Sequence, residues 1–296
     1  MKIGHVIRWE FLQNVRSKQF LIITILIPAI VGIGIFAVTR AMGEEIGRSS
    51  EPPPPLIIGM FIAFILFLGA FMSGVMTLYG VMKEKQSRAV EMMMSSVSAW
   101  ELMAGKMIGL GLSGLIQVTA WSATAYFVAG MFMPVSLAEL TLVHWICYPL
   151  YFILGYLFIA SIYGTVGAAI KDIHSGGSVG FAGIIPYIPM MFSAVIIQKP
   201  DLLWVRLAGF FPPFTPGVML LRIGATPLVS DGARFVPAWE IALSLVSLAI
   251  GTFLMMRFAT KVFEVGMLMT GKSASLRELW RWGRGRSRTH RTGAVR

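Results

Sequence analysis

Six windows of this sequence, 20–38, 56–82, 107–133, 142–170, 179–197 and 239–256, run for at least 18 residues with hardly a charge among them. A helix needs about 20 apolar residues to cross the hydrocarbon core of a bilayer, where each backbone N–H and C=O must find its partner within the protein. The windows therefore predict an all-α polytopic membrane protein with six transmembrane helices. Composition agrees, since 13% of the residues are charged, against about 25% in ordinary soluble domains. Residues 1–270 are expected to form a single membrane domain and 271–296 a basic tail.

Two regions depart from simple spans. Pro186 and Pro189 in "PYIP" are expected to bend the fifth window, because proline lacks a donor and crowds the preceding turn. The stretch 202–229 is apolar but carries "FPPFTPG", Arg206 and Arg222. It is expected to form two short helices, re-entrant or interfacial, before the last span.

Lys and Arg accumulate on the cytoplasmic side of membranes. With six spans, the N-terminal segment, the second and fourth loops and the tail share one side and hold 19 basic residues, against six on the other. Both termini are thus expected to be cytoplasmic, in a multi-pass protein of the cell membrane. The first window lacks a small-residue cleavage site and is read as an uncleaved helix. The Trp- and Arg-rich tail fits anionic lipid headgroups better than nucleic acid. The single Cys147 excludes a disulfide framework and a thiolate metal site.

"GMLMTGKS", residues 266–273, matches the phosphate-cradling pattern G-x-x-x-x-G-K-[ST] letter for letter. A working phosphate loop joins a strand to a helix and needs a metal-holding aspartate farther on. Here the preceding "MMRFATKVFEV" continues the sixth span as a helix, with Phe258, Val262 and Val265 on one stripe, and no Asp follows Asp231. Gly266 and Gly271 are instead expected to break the helix as it leaves the membrane, with Lys272 near a helix C-terminus or a lipid phosphate. No nucleotide or other cofactor is expected on this chain.

Between the second and third spans lies "KEKQSRAVEMMMSSVSAWELMAGK", residues 83–106. The order of charges from Lys83 to Met94 permits helical pairs, notably an exposed Glu84 with Arg88. "SSVS" then interrupts, and Ser98 with Glu101 forms a capping box, S-x-x-E, that starts a helix running into the third span. A helix, a sharp turn and a second helix at the inner surface serve as a well-capped connector or as a rigid lever for a partner. In the second case Met92, Met93 and Met94 supply an adaptable contact.

This segment resembles the cytoplasmic element of type-two permeases of ATP-binding-cassette (ABC) transporters, especially the branch that includes sodium-efflux permeases. The similarity lies in the acidic-basic run, the serine-rich turn, the E-L pair at Glu101 and Leu102, and the G-K at Gly105 and Lys106. "FPPFTPGVMLLRIGATPL", "PAWEIALSL" and "KVFEVGMLMTGKSASLRELWRW" are similar as well, so the likeness extends from about Lys83 to Trp282. It implies an ATP-driven exporter whose permease pairs with a second copy or a paralogue and with two cytoplasmic ATPase subunits. ATP and magnesium would sit on those ATPases. It also implies a coupling helix in 83–106, an amphipathic helix before the first span, matched by Ile3, Ile7, Phe11 and Val15 at four-residue spacing, and re-entrant helices before the last span. Lys83, Glu84, Arg88, Glu91, Ser98 and Glu101 are the expected coupling residues. Many relatives in the sodium-efflux branch carry a large external domain between the first two spans. This chain has only "TRAMGEEIGRSSEPPPP", which leaves the substrate open; its four prolines are expected to form a stiff extended lead into the second span.

Ion-driven carriers place titrating groups inside the membrane, and the cores of the six windows contain none, His144 and Glu240 being placed at outer edges. Milder polar groups do reach the core: Gln117, Thr119, Ser122 and Thr124 in the third window, Ser161 and Thr165 in the fourth. They are expected to bond between helices or to line a pathway. Gly105 with Gly109, and Gly164 with Gly167, predict close helix packing. His5, His144, His174 and His290 are scattered, with no H-E-x-x-H spacing and no G-x-S-x-G elbow, so no enzyme is expected. The alternatives are a membrane scaffold that anchors a cytoplasmic partner, and an ion-driven carrier.

Overall fold

The computed structural model describes residues 2–41, 55–87, 97–130, 142–170, 185–225 and 236–268, together with Glu278. Among them all regular structure is helical. The long elements are α1 (Lys2–Val15), α2 (Lys18–Ala41), α3 (Pro55–Ser87), α4 (Ala99–Gly130) and α5 (Leu142–Ala169). A 3-10 turn at Ile185–Tyr187 leads into four short helices, α6 (Ile188–Met191), α7 (Ser193–Gln198), α8 (Leu203–Ala208) and α9 (Thr215–Gly224). The last element is α10 (Ala238–Leu268).

Four helices are long and apolar enough to cross a bilayer, over Ala63–Lys85, Ala99–Phe127, Leu142–Ala169 and Ala238–Gly266. They correspond to the second, third, fourth and sixth windows. The first window is helical within α2, with Pro28 inside it. Ser17 caps that helix, its Oγ accepting from the Phe20 amide at 3.1 Å. Pro55, expected to belong to an extended lead, is instead the first residue of α3.

The fifth window is broken rather than bent. Residues 179–184 lie outside the described residues, and from Ile185 the chain forms the 3-10 turn, α6 and α7, with Phe192 interrupting between the last two. Pro186 and Pro189 fall seven and four residues before Ser193, so two ladder donors are missing within two turns. Tyr187 anchors the broken segment, its ring meeting Phe67 and Phe71 edge-on at 4.8 and 4.5 Å between centroids.

α5 is the central helix, packed against α3 on one side and α10 on the other, while α4 packs on α3 and carries α1 and α2. The glycine pairs act as expected. A Cβ at Gly167 would stand 2.9 Å from the Leu78 carbonyl oxygen of α3, and one at Gly164 would stand 2.8 Å from Met103 Cε of α4. Tyr156 of α5 donates to the Met107 carbonyl of α4 at 2.7 Å.

The stretch before α10 forms a hairpin of two short helices, α8 and α9, as the sequence predicts. Its depth can be followed along its neighbours. Arg206 of α8 pairs with Glu240 at the start of α10; the Phe210 carbonyl accepts from Ser247 Oγ at 2.6 Å; Pro212 lies on Gly251. The chain then reverses. Pro216 lies on Gly155 of α5, and the Ile223 carbonyl meets His144 Nε2 at 2.9 Å. From Glu240 to Gly251, and again from His144 to Gly155, the helical rise is about 16 Å, so the hairpin descends beside α10 and returns beside α5. Every residue of α9 is buried.

Glycine at 155 and 251 is what admits the two prolines, since a Cβ there would come within 2.7 and 2.6 Å of proline carbons. Gly155→Leu is expected to push the turn out and cost about 1–3 kcal/mol through overpacking, read as a lowered unfolding temperature in detergent. Ala123→Leu, on the exposed face of α4, is the control expected to leave it unchanged.

Candidate functional site

The first turn of α4 is fixed by its own side chains. The Ser98 amide and hydroxyl both donate to Glu101 Oε2, at 3.0 and 2.9 Å, and the Glu101 amide donates back to Ser98 Oγ at 3.3 Å. This is the predicted capping box, and it satisfies amides that a helix start leaves open. Two turns on, Lys106 enters the bundle interior between Gly105 and Gly109. α1 crosses α4 at these two glycines: a Cβ at Gly105 would meet Val6 Cγ1 at 2.6 Å, and one at Gly109 would meet the Ile7 carbonyl oxygen at 2.8 Å. That contact brings Glu10 of α1 over Lys106.

Lys106 Nζ lies 2.6 Å from Glu10 Oε1 and 2.7 Å from Glu84 Oε1, and its side chain is 2% exposed. One ammonium thus joins α1, α3 and α4. Beside it, Lys85 Nζ donates to the Ala168 and Ile170 carbonyls at 2.7 and 3.3 Å, placing a cation on the C-terminus of α5. Gly266 packs on the same carbonyl, where a Cβ would lie 2.5 Å from the Ala168 oxygen. α10 continues through Gly266 to Leu268, so this glycine admits a neighbouring helix rather than ending its own, contrary to expectation. Gly271 and Lys272 lie outside the described residues.

A second charged cluster has the reverse composition. Glu240, 1% exposed, pairs through Oε1 with Arg206 and through Oε2 with Arg222 at 2.8 Å. Arg222 is equally buried, whereas Arg206 is 38% exposed and lies 5.8 Å over the Trp239 ring. One carboxylate therefore holds both legs of the hairpin. Glu240 and Gly266 are separated on α10 by about 39 Å of helical rise, so the two clusters occupy opposite ends of the bundle. His144 and Glu240, placed at the outer edges of their spans, lie in the first turns of α5 and α10, and both are buried within the protein.

The description "ABC-2 family transporter protein" fits residues 49–261, which include α3 to α9 and most of α10. The chain belongs to the ABC-2 transporter family. Its long apolar helices accord with that family and make it a multi-pass membrane protein. It is 25% identical over 221 residues to an uncharacterized protein, MJ1024, of Methanocaldococcus jannaschii, covering 73% of this chain and 51% of that one. It is 22% identical over 251 residues to an uncharacterized protein, YhaP, of Bacillus subtilis, covering 79% of this chain and 57% of that one. The chain spans little more than half the length of these relatives.

Within this ABC-2 permease, the predicted coupling residues divide. Lys83, Glu84, Ser98 and Glu101 gather at the Lys106 end of the bundle; Arg88, Glu91 and Met92 to Met94 lie outside the described residues. Residues Lys83 to Ser87 are the last turn of α3 and not a separate helix. Glu84, expected on the surface with Arg88, is 17% exposed and pairs with Lys106. Of the pathway candidates, Gln117, Ser161 and Thr165 are buried, Ser122 and Thr124 are half-buried, and Thr119 faces outward. The Thr119, Thr124, Ser161 and Thr165 hydroxyls donate to the carbonyl four residues back, at 2.6 to 2.9 Å.

Sequence reading missed Glu10, Lys106, Arg206 and Arg222 as paired groups. A signal existed: Glu10 is the sole acid among the first 43 residues, and Lys106 stands alone in an apolar run between two glycines. Removing one partner of a buried ion pair costs about 3–5 kcal/mol, whereas losing a helix cap costs about 1 kcal/mol. Glu240→Gln is accordingly expected to lower the unfolding temperature several times more than Ser98→Ala, measured side by side in detergent.

Proposed function

We propose that this chain is the membrane-spanning permease subunit of an ATP-driven ABC exporter, forming the substrate pathway and working with separate cytoplasmic ATPase subunits. It pairs with a second copy or a paralogue, and its crossings are α2, α3, α4, α5, the broken segment that ends in α7, and α10. The excess of basic residues on one side supports cytoplasmic termini in the cell membrane, with the Lys106 end inward and the hairpin of α8 and α9 re-entering from outside.

The observation that carries this reading is the construction of the Lys106 end. The chain between Ser87 and Val97 holds Arg88 and Glu91 and leaves from α3 beside Glu84, which is ion-paired to α4. It returns through the Ser98 and Glu101 box. A charged connection with both roots fixed suits contact with a moving partner, and membership of the ABC-2 family supports an ATPase as that partner. ATP and magnesium would be held there, and binding would shift the spans between inward- and outward-facing states. Gln117, Thr119, Ser122, Thr124, Ser161 and Thr165 are proposed as pathway groups, of which Gln117 and Ser122 have side chains less committed to their own helix. The cargo stays open, because the stretch between the first two spans departs from the sodium-efflux pattern, and the mild polar groups of the pathway suit an amphipathic or lipid-like cargo better than a bare ion.

The test is reconstitution of the chain in lipid vesicles with the ATPase that co-purifies with it. ATP-dependent cargo movement is expected, with the rate of ATP hydrolysis unchanged in Lys272→Ala and reduced when Glu84 and Glu91 are both replaced by Gln. Movement without ATP would instead mark a carrier, and ATPase binding without any movement would mark a scaffold.

A further inference from the structure

Lys106 makes one connection that coupling through the 83–106 element alone does not require: it also holds α1. Its ammonium has three N–H donors, and they reach carboxylates on two different helices, Glu84 near the end of α3 and Glu10 on α1. We propose that Lys106 is the positioning residue that makes α1, α3 and α4 move as one unit, so that a push on the chain between Ser87 and Val97 is delivered to α1 as well as to the spans. This rests on reading that connection as the ATPase contact.

Four features of the structure support it. First, the Glu84 to Lys106 pair closes the roots of the connection, so α3 and α4 resist being spread apart there. Second, fraying is opposed on either side, by the Ser98 and Glu101 box on α4 and by Lys85 on the C-terminal carbonyls of α5. Third, α1 packs closely on α4 at both glycines, the Val6 side chain against Gly105 and the Ile7 carbonyl against Gly109, and Glu10 supplies the ionic tie beside them. Fourth, the group is buried, so ions in solution screen it little and water does not readily replace the carboxylates. Without the ammonium, the same push would be absorbed by separation of α3 from α4 and by α1 lifting off.

The experiment uses the intact permease and ATPase complex in lipid nanodiscs, with ATP hydrolysis as the readout. In Lys106→Met the complex is expected to remain assembled, with KM for ATP within about twofold of wild type and kcat reduced roughly fivefold or more. Lys106→Arg, which keeps the charge, is expected to restore kcat to within about twofold. Glu10→Gln leaves Lys106 and Glu84 intact and is expected to lower kcat without changing KM, which isolates the part played by α1. Wild-type kcat in assembled Lys106→Met overturns the proposal while leaving the transporter reading in place, and wild-type kcat in Glu10→Gln overturns the role of α1. If Lys106→Met fails to assemble, Glu10→Gln decides. A wild-type chain that recruits no ATPase overturns the transporter reading and this proposal together.

Discussion

Bringing a charge into an apolar bundle costs several kcal/mol unless opposite charge meets it at hydrogen-bond distance. This chain accepts that cost at both ends of its helix bundle, and the arrangement of the rest depends on it. At one end a lysine lies between two carboxylates; at the other a carboxylate lies between two guanidiniums. In each case the central group is almost fully buried and its partners come from different helices. Apolar packing in lipid says little about which helix should neighbour which, because the lipid tails are as apolar as the side chains. Ion pairs that must be complete do say it, and they fix α1 on α4 and the hairpin on α10.

Small residues do the complementary work. Gly105 and Gly109 let α1 approach closely enough for Glu10 to reach Lys106, and Gly155 and Gly251 let the proline turn sink far enough for both arginines to reach Glu240. Charge chooses the partner and the absent side chain sets the distance. The two kinds of residue lie next to each other in sequence at Gly105 and Lys106, and far apart in sequence at Gly155 and Arg222.

Much of the fold is legible in the residues alone. The long apolar windows locate four of the spans, the fourth window to within a residue at each end, whereas α4 starts eight residues before its window and α10 runs twelve residues past its own. The S-x-x-E pattern marks the start of α4, and the prolines of 202–229 call for two short helices in place of one. These are local signals, set by period, caps and missing donors. The rest depends on contacts across the chain. Glu84 has a tempting neighbour four residues on, and only the crossing of α3 with α4 shows that Lys106 takes it. Glu240 reads as an edge residue because it opens an apolar run, yet the hairpin folds over it. The fifth window departs from expectation for a simpler reason: two prolines three residues apart do more than bend a helix, because each removes a donor from the same two turns.

Gly266 has two identities. As text it is the opening letter of a nucleotide-binding signature, and as matter it is a notch into which a neighbouring peptide oxygen settles. Membrane helices are rich in such notches, so glycine-spaced signatures will recur among them by chance of packing. The surrounding backbone, strand or helix, distinguishes a cradle for phosphate from a dent for another coil.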